Sequence, residues 1–229
     1  MPEDVRPATG WAVLHLFCKA GPGGTDAEAA VAAVKAAQAQ DVQVVTVALL
    51  GHKADIAVMA LSPDLWRLRS LQTALQGAGL VVVASYVSLT EVSEYAQGMP
   101  DDLKRTRLYP QLPPAGKPAW CFYPMSKRRQ IGANWYELPY EEREELMRGH
   151  GQTGRTFAGR VLQLITGSTG LDDFEWGVTL FARTLEDLKE CVYTMRFDEA
   201  SARYAEFGPF IAGLVGPTEA VLSALSFGP

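Results

Sequence analysis

With 229 residues, 48% of them apolar, and a mean hydropathy of −0.01, the chain has the make-up of one large globular domain or two small ones. A net charge of −5 argues against a nucleic-acid binder that works by phosphate neutralisation. No apolar run approaches the roughly 20 residues that span a bilayer. The polar start, MPEDVRPATG, is read as carrying no secretory signal. Cys18, Cys121 and Cys191 stand at neither metal-ligand nor redox spacing, so a cytoplasmic chain with reduced, buried thiols is expected.

Residues 11–18 (WAVLHLFC) read as a strand, and the alanine-rich stretch from Thr25 to Gln40 as a helix capped by Thr25. Two β-branched runs, 42–50 and 55–61, flank the hairpin signal Gly51-His52-Lys53-Ala54. Pro63 opens a second helix to about Gln76, in a first turn where its missing N–H costs nothing. Residues 80–89 form the next strand. The order β-α-β-β-α-β is ferredoxin-like. Residues 96–118 hold six prolines or glycines before Lys117-Pro118 and read as a connector.

The same order then recurs without shared residue identity. A strand at 119–125 is followed by a helix at 139–148 behind Pro139, strands at 157–166 and 174–182, a helix from Thr184 to Met195, and a last strand at 207–215. The expected fold is α+β, with two ferredoxin-like halves, 1–95 and 119–229, forming a dimeric α/β-barrel within one chain. Such a fold names no function by itself.

Charge is unevenly spread. Between Asp101 and Arg129 seven basic residues face two acidic ones, and between Glu137 and Arg148 five glutamates face two arginines. A basic segment in an acidic chain is either a solvated linker or the footprint of a small anionic ligand.

Several side chains in the second half allow chemistry beside an ordinary structural role. His150, placed by the pattern at a helix C-cap, would complement the helix dipole there or donate to a metal ion. Tyr123 is a half-buried strand tyrosine or a phenol able to give up an electron and a proton together. Met125 and Lys127 share its face by strand alternation. Lys127 is a solvated lysine or a cation for a carboxylate. Gln163 interrupts an apolar strand, so it faces solvent at an edge or needs buried partners.

His150, Tyr123, Met125 and Lys127 lie in a set of segments that comprises Tyr123-Pro-Met-Ser-Lys-Arg-Arg129, Asn134-Trp-Tyr136, Leu146-Met-Arg-Gly-His-Gly-Gln-Thr-Gly-Arg155, Gly167-Ser168, Leu171-Asp-Asp-Phe-Glu-Trp-Gly177 and Ser201-Ala-Arg-Tyr204. In order and spacing the segments resemble the coproheme decarboxylases (hydrogen-peroxide-dependent heme synthases) of the chlorite-dismutase-like superfamily, in their Gram-positive, non-actinobacterial type. The match runs from about Lys117 to Gly213. In the first half Gly10-Trp11, Gly51-His-Lys-Ala-Asp55 and Tyr86-Val-Ser88 also fit.

The resemblance implies that iron-coproporphyrin III (coproheme) is both substrate and cofactor, with His150 as axial ligand and hydrogen peroxide as oxidant. Tyr123 would relay the oxidation of two propionates to vinyls, giving heme b, with Lys127 as a carboxylate anchor. It further implies porphyrin contacts from Arg107, Met125, Arg155 and Ser201, and a distal position for Gln163, where chlorite-dismuting members carry arginine. Arg196 and Arg203 are expected to hold their own segment together through Asp198 and Glu199. A homopentamer, with transient contact to other heme-synthesis enzymes, is also implied. A chlorite dismutase or heme peroxidase, and a non-catalytic heme-binding or sensing module, are the rival readings.

Overall fold

The computed structural model describes residues 5–96 and 98–226. The outermost residues of the expected halves, 1–4 and 227–229, and residue 97 of the connector lie outside the described residues. The first half runs β1 (Ala12–Ala20), α1 (Ala27–Gln38), β2 (Gln43–Leu49), β3 (Ile56–Ser62), α2 (Leu65–Gly77) and β4 (Leu80–Thr90). The caps differ from the expected ones. Asp26, not Thr25, accepts from Ala29 N at 2.9 Å to start α1. At α2, Asp64 accepts from Trp66 N at 2.8 Å. Pro63 therefore precedes the cap, because the first turn needs a side-chain acceptor for its free N–H groups and proline has none.

The connector is not all loop: it holds α3 (Asp101–Leu108). The second half follows as β5 (Ala119–Lys127), the small hairpin β6 (Arg129–Gln130) and β7 (Ala133–Asn134), α4 (Tyr140–Arg155), β8 (Val161–Gly167), β9 (Trp176–Ala182), α5 (Leu185–Met195), α6 (Glu199–Ala202), β10 (Ala205–Phe207), β11 (Ile211–Gly216) and α7 (Thr218–Ser223). The expected single strand at 207–215 is thus two. Both β10 and β11 pair with β5, and the ladder lapses between them at residues 208–210, where Pro209 has no N–H to donate.

Eight strands close on themselves in the order β2-β3-β1-β4-β8-β9-β5-β11, with β11 returning to β2, all antiparallel. A closed ring leaves its members no unpaired edge. Among the described residues the strand ladders of the two halves join at two seams. One is β4 on β8, at Leu89↔Gly167 and Thr90↔Thr166. The other is β11 on β2, from Gly213↔Leu49 to Gly216↔Thr46. A Cβ at Gly213 would run into the Ala48 carbonyl, so only glycine lets the second seam close.

Strand alternation divides the apolar residues into three layers. Val13, Phe17, Val47, Met59 and Tyr86 from the first half meet Trp120, Phe122, Leu164 and Phe181 from the second inside the ring. Each large side chain buried there stabilises the fold by about 1.5–3 kcal/mol. Outside the first half, α1, α2 and α7 cover a second apolar layer. Outside the second half, α5 covers Cys121, Tyr123, Val178 and Leu180. No helix among the described residues is long and apolar enough to cross a membrane.

His15 lies in the ring interior, fully buried. Its Nε2 is 3.0 Å from Thr179 Oγ1 and its ring 4.4 Å from that of Phe122. Burial lowers its pKa to about 3, because the imidazolium would lose its hydration. The folded pKa lies below the unfolded one, so this group's contribution is complete above about pH 6.5 and is lost as pH falls toward 3. Acidification from pH 6 to pH 4 should cost about 1.4 kcal/mol per pH unit through this residue. Urea unfolding at stepped pH should show that slope in the wild type and its loss in His15→Leu. Equal slopes in both proteins would remove His15 as the acid-sensitive group.

Candidate functional site

Helix α4 begins behind Pro139, with Glu141 and Glu142 in a first turn whose dipole favours them. The residue pattern predicts an end near Arg148, with His150 at the C-cap. The helix instead runs through Gly149, His150, Gly151 and Gly154 to Arg155. Each interior glycine costs about 1 kcal/mol against alanine, which is why residue preference alone ends the helix early. Packing of α4 on α5 and α6 sustains it, and Thr153 Oγ1 donates back to Gly149 O at 3.2 Å. His150 is therefore held by an intact helix.

His150 Nδ1 lies 3.1 Å from Asp198 Oδ1 and 3.4 Å from Ser201 Oγ. Asp198 caps α6 and accepts from Ser201 N at 3.1 Å. Burial of this carboxyl opposes its ionisation, but the hydrogen bonds from His150 and Ser201 prevail and hold its pKa below the ordinary value. An anionic carboxylate can only accept, so Nδ1 carries the proton and donates to it. In the neutral ring Nε2 is then the lone-pair nitrogen, and no hydrogen bond engages it among the described residues. This arrangement makes a good iron donor, since a carboxylate on the far nitrogen fixes the tautomer and raises ligand basicity.

Lys127 ends β5 under the same short helix. Its Nζ donates to Ala200 O at 3.2 Å and sits 4.0 Å from the centroid of the Trp135 ring. Burial lowers its pKa to about 8, against the pull of Asp198 and Glu175. Its backbone N donates to Glu175 Oε2 at 2.7 Å, and Glu175 also pairs with Arg129. Helix α6 thus joins three expected or newly found groups: Asp198 at its cap, Ala200 on Lys127, and Ser201 beside His150.

Tyr123 is buried farther along the same face of β5. Phe210 stacks on it at 4.4 Å and 24°, and Phe207 meets it edge-on at 5.7 Å and 68°. Burial raises the phenol's pKa well above its ordinary value, so the O–H is retained at physiological pH. Met125 packs against this cluster. Gln163 Nε2 donates to Cys191 Sγ at 3.7 Å, and a Cβ at Gly154 of α4 would lie 3.5 Å from that nitrogen. Gln163 thus turns toward α4 and α5, with Cys191 shared between it and the Tyr123 cluster.

Contact unites His150 with Ser201, Lys127 with the helix that carries Ser201, and Tyr123 with Met125. Arg155, at the end of α4, and Arg107, on α3, are both exposed, and no hydrogen bond or ion pair ties either to the other expected residues among those described. Arg203 does pair with Glu199, at 3.6 Å. Arg196 does not pair with Asp198: its guanidinium carbon lies 5.1 Å from the centroid of Phe207 and 5.8 Å from that of Phe210. Residue order alone assigns Asp198 only that ion-pair role. The Asp198-Glu-Ala-Ser201 capping pattern is the legible signal that its carboxylate is committed to α6. Trp135 carries no local signal, because it lies in a 3-10 turn while its partner Lys127 ends strand β5.

A family model described as chlorite dismutase matches residues 25–216. A heme-binding protein from Thermus thermophilus is 36% identical, with a TM-score of 0.83 over 98% of this chain and 100% of the other. Chlorite dismutase from Candidatus Nitrospira defluvii, in its complex with imidazole, is similar in fold at 20% identity, with a TM-score of 0.76 over 96% of this chain and 97% of its own. The chain belongs to the chlorite dismutase family.

Proposed function

We propose that this protein binds iron-coproporphyrin III through His150 and, with hydrogen peroxide, oxidatively decarboxylates the propionates at positions 2 and 4 to vinyls, yielding heme b. The single observation that carries the decarboxylase reading is Tyr123, a protonated phenol buried in an aromatic cage in the same half as the His150–Asp198 pair. When bound, the iron porphyrin supplies the oxidising power that peroxide delivers. The chain's own groups do the rest. Asp198 keeps the Nδ1 proton of His150 in place, so that Nε2 stays a neutral donor. Tyr123 holds a hydrogen atom that can be given up as an electron and a proton, then regained from the propionate carbon bonded to the ring. Loss of carbon dioxide from the neighbouring carbon, with one further electron passing to the peroxide-derived oxidant, would leave the vinyl.

The family relationship and the heme-binding relative support the porphyrin part of this reading. Charge recognition of four propionates would draw on Arg107, Arg155 and Ser201, and Met125 would line the Tyr123 wall. Lys127 would have to exchange the Ala200 carbonyl for a propionate to serve as an anchor. In its present contacts it instead sets the charge around Asp198. A homopentamer is the assembly proposed to accompany the activity. The rival dismutase reading meets Gln163, whose neutral amide binds an anionic oxidant more weakly than a guanidinium would.

Mass spectrometry of the coproheme complex titrated with peroxide should show two successive carboxyl losses. In Tyr123→Phe coproheme should still bind, and neither carboxyl should leave at stoichiometric peroxide. A normal heme b yield from that variant would rule the phenol out. His150→Ala should lose the Soret signature of axial ligation, and Asp198→Asn should weaken coproheme retention roughly 10-fold or more. Unchanged spectra in His150→Ala would leave the histidine a structural residue. With chlorite, a Clark electrode should register at most trace oxygen from the wild type. Sustained multi-turnover release would promote the dismutase reading over this one.

A further inference from the structure

The hairpin between β2 and β3 carries the segment Gly51-His-Lys-Ala-Asp55, most of which builds the hairpin itself. Gly51 adopts a left-handed φ of +93°, as glycine does without strain. Ala54 is buried with the ring interior. Asp55 accepts from Ala20 N at 3.1 Å, closing the end of β1. Lys53 differs, because it reaches out of its own half. Its exposed side chain donates through Nζ to the carbonyl of Phe210.

That carbonyl belongs to the break between β10 and β11, residues 208–210, where β5 supplies no continuous ladder. One end of the break is tied by Gly208 N, which donates to Pro124 O at 2.8 Å. Pro209 can donate nothing. The Phe210 end is tied by Lys53. Phe210 in turn supplies the ring that stacks on Tyr123 at 4.4 Å. The Lys53 charge also acts on the thiol of Cys121, two residues before Tyr123 on the same strand face, offsetting part of the rise that burial causes.

We propose that Lys53 is a positioning residue for Tyr123: by holding the Phe210 carbonyl it fixes the aromatic cage around the phenol, so that the first half orients the reactive group of the second. The proposal rests on the reading of Tyr123 as the hydrogen-atom donor. Orientation matters there because a displacement of about 1 Å at a reacting group can cost about 100-fold in rate.

The test places 3-fluorotyrosine at position 123 of the porphyrin-free chain and records its fluorine resonance. The wild type should give one narrow line. Lys53→Met should shift or split it with little change in melting temperature, since the side chain is exposed, and Lys53→Arg should restore it. In the coproheme complex Lys53→Met should slow peroxide-driven carboxyl loss about 10-fold at saturation, with coproheme affinity within about twofold of the wild type. An unchanged fluorine line in Lys53→Met would overturn the proposal. So would a large fall in coproheme affinity at an unchanged saturated rate, which would make Lys53 a propionate anchor. If the wild type leaves coproheme intact with peroxide, the Tyr123 reading fails, and the fluorine line alone decides whether Lys53 orders the cage.

Discussion

The carboxylate of Asp198 is the point from which the second half's chemistry is arranged. It is buried, yet hydrogen bonds from His150 and from the Ser201 amide keep it ionised. A buried anion without such partners would neutralise itself by taking up a proton. Being anionic, it fixes a proton of His150 on Nδ1, so that in the neutral ring Nε2 carries the lone pair. Being the cap of α6, it also sets where Ala200 meets Lys127 and where Ser201 meets the imidazole. One carboxylate therefore couples a four-residue helix, a strand-end lysine and a histidine in the middle of α4.

The lysine enters this arrangement at a cost that its surroundings reduce. Lys127 is taken out of water, which lowers its pKa to about 8. It is compensated by a carbonyl hydrogen bond and by the face of Trp135, and by the nearby charges of Asp198 and Glu175. The cation and the carboxylate are thus parts of one buried electrostatic unit. Tyr123 lies outside that unit, in an apolar cage of phenylalanines capped by Arg196. The same strand, β5, therefore presents an ionic end and an apolar stretch on a single face.

The barrel gives these groups their frame. Because the strand ladders of the two halves join at two seams among the described residues, the position of β5 depends on residues far from the site: the glycine that admits β2 to β11, and the aromatic interior that both halves share. The first half contributes strands, an interior and a hairpin, while the histidine, the carboxylate and the phenol all come from the second.

The two β-α-β-β-α-β orders, and the grouping of Tyr123, Met125 and Lys127 on one strand face, are readable from the chain because alternation and helical spacing are local properties of residue order. The expectation that His150 ends its helix comes from the same local rules and is wrong, because tertiary packing carries α4 past three glycines that residue preference would not. The split of the last strand also escapes pattern reading, since β10 and β11 are distinguished only by where β5 offers hydrogen-bond partners. Closure of the ring, the pairing of His150 with Asp198 across 48 positions, the seat of Lys127 on Trp135 and the reach of Lys53 to Phe210 are decided by the tertiary structure alone. They join residues from different elements, and whether such groups meet depends on how those elements pack, which no local spacing encodes.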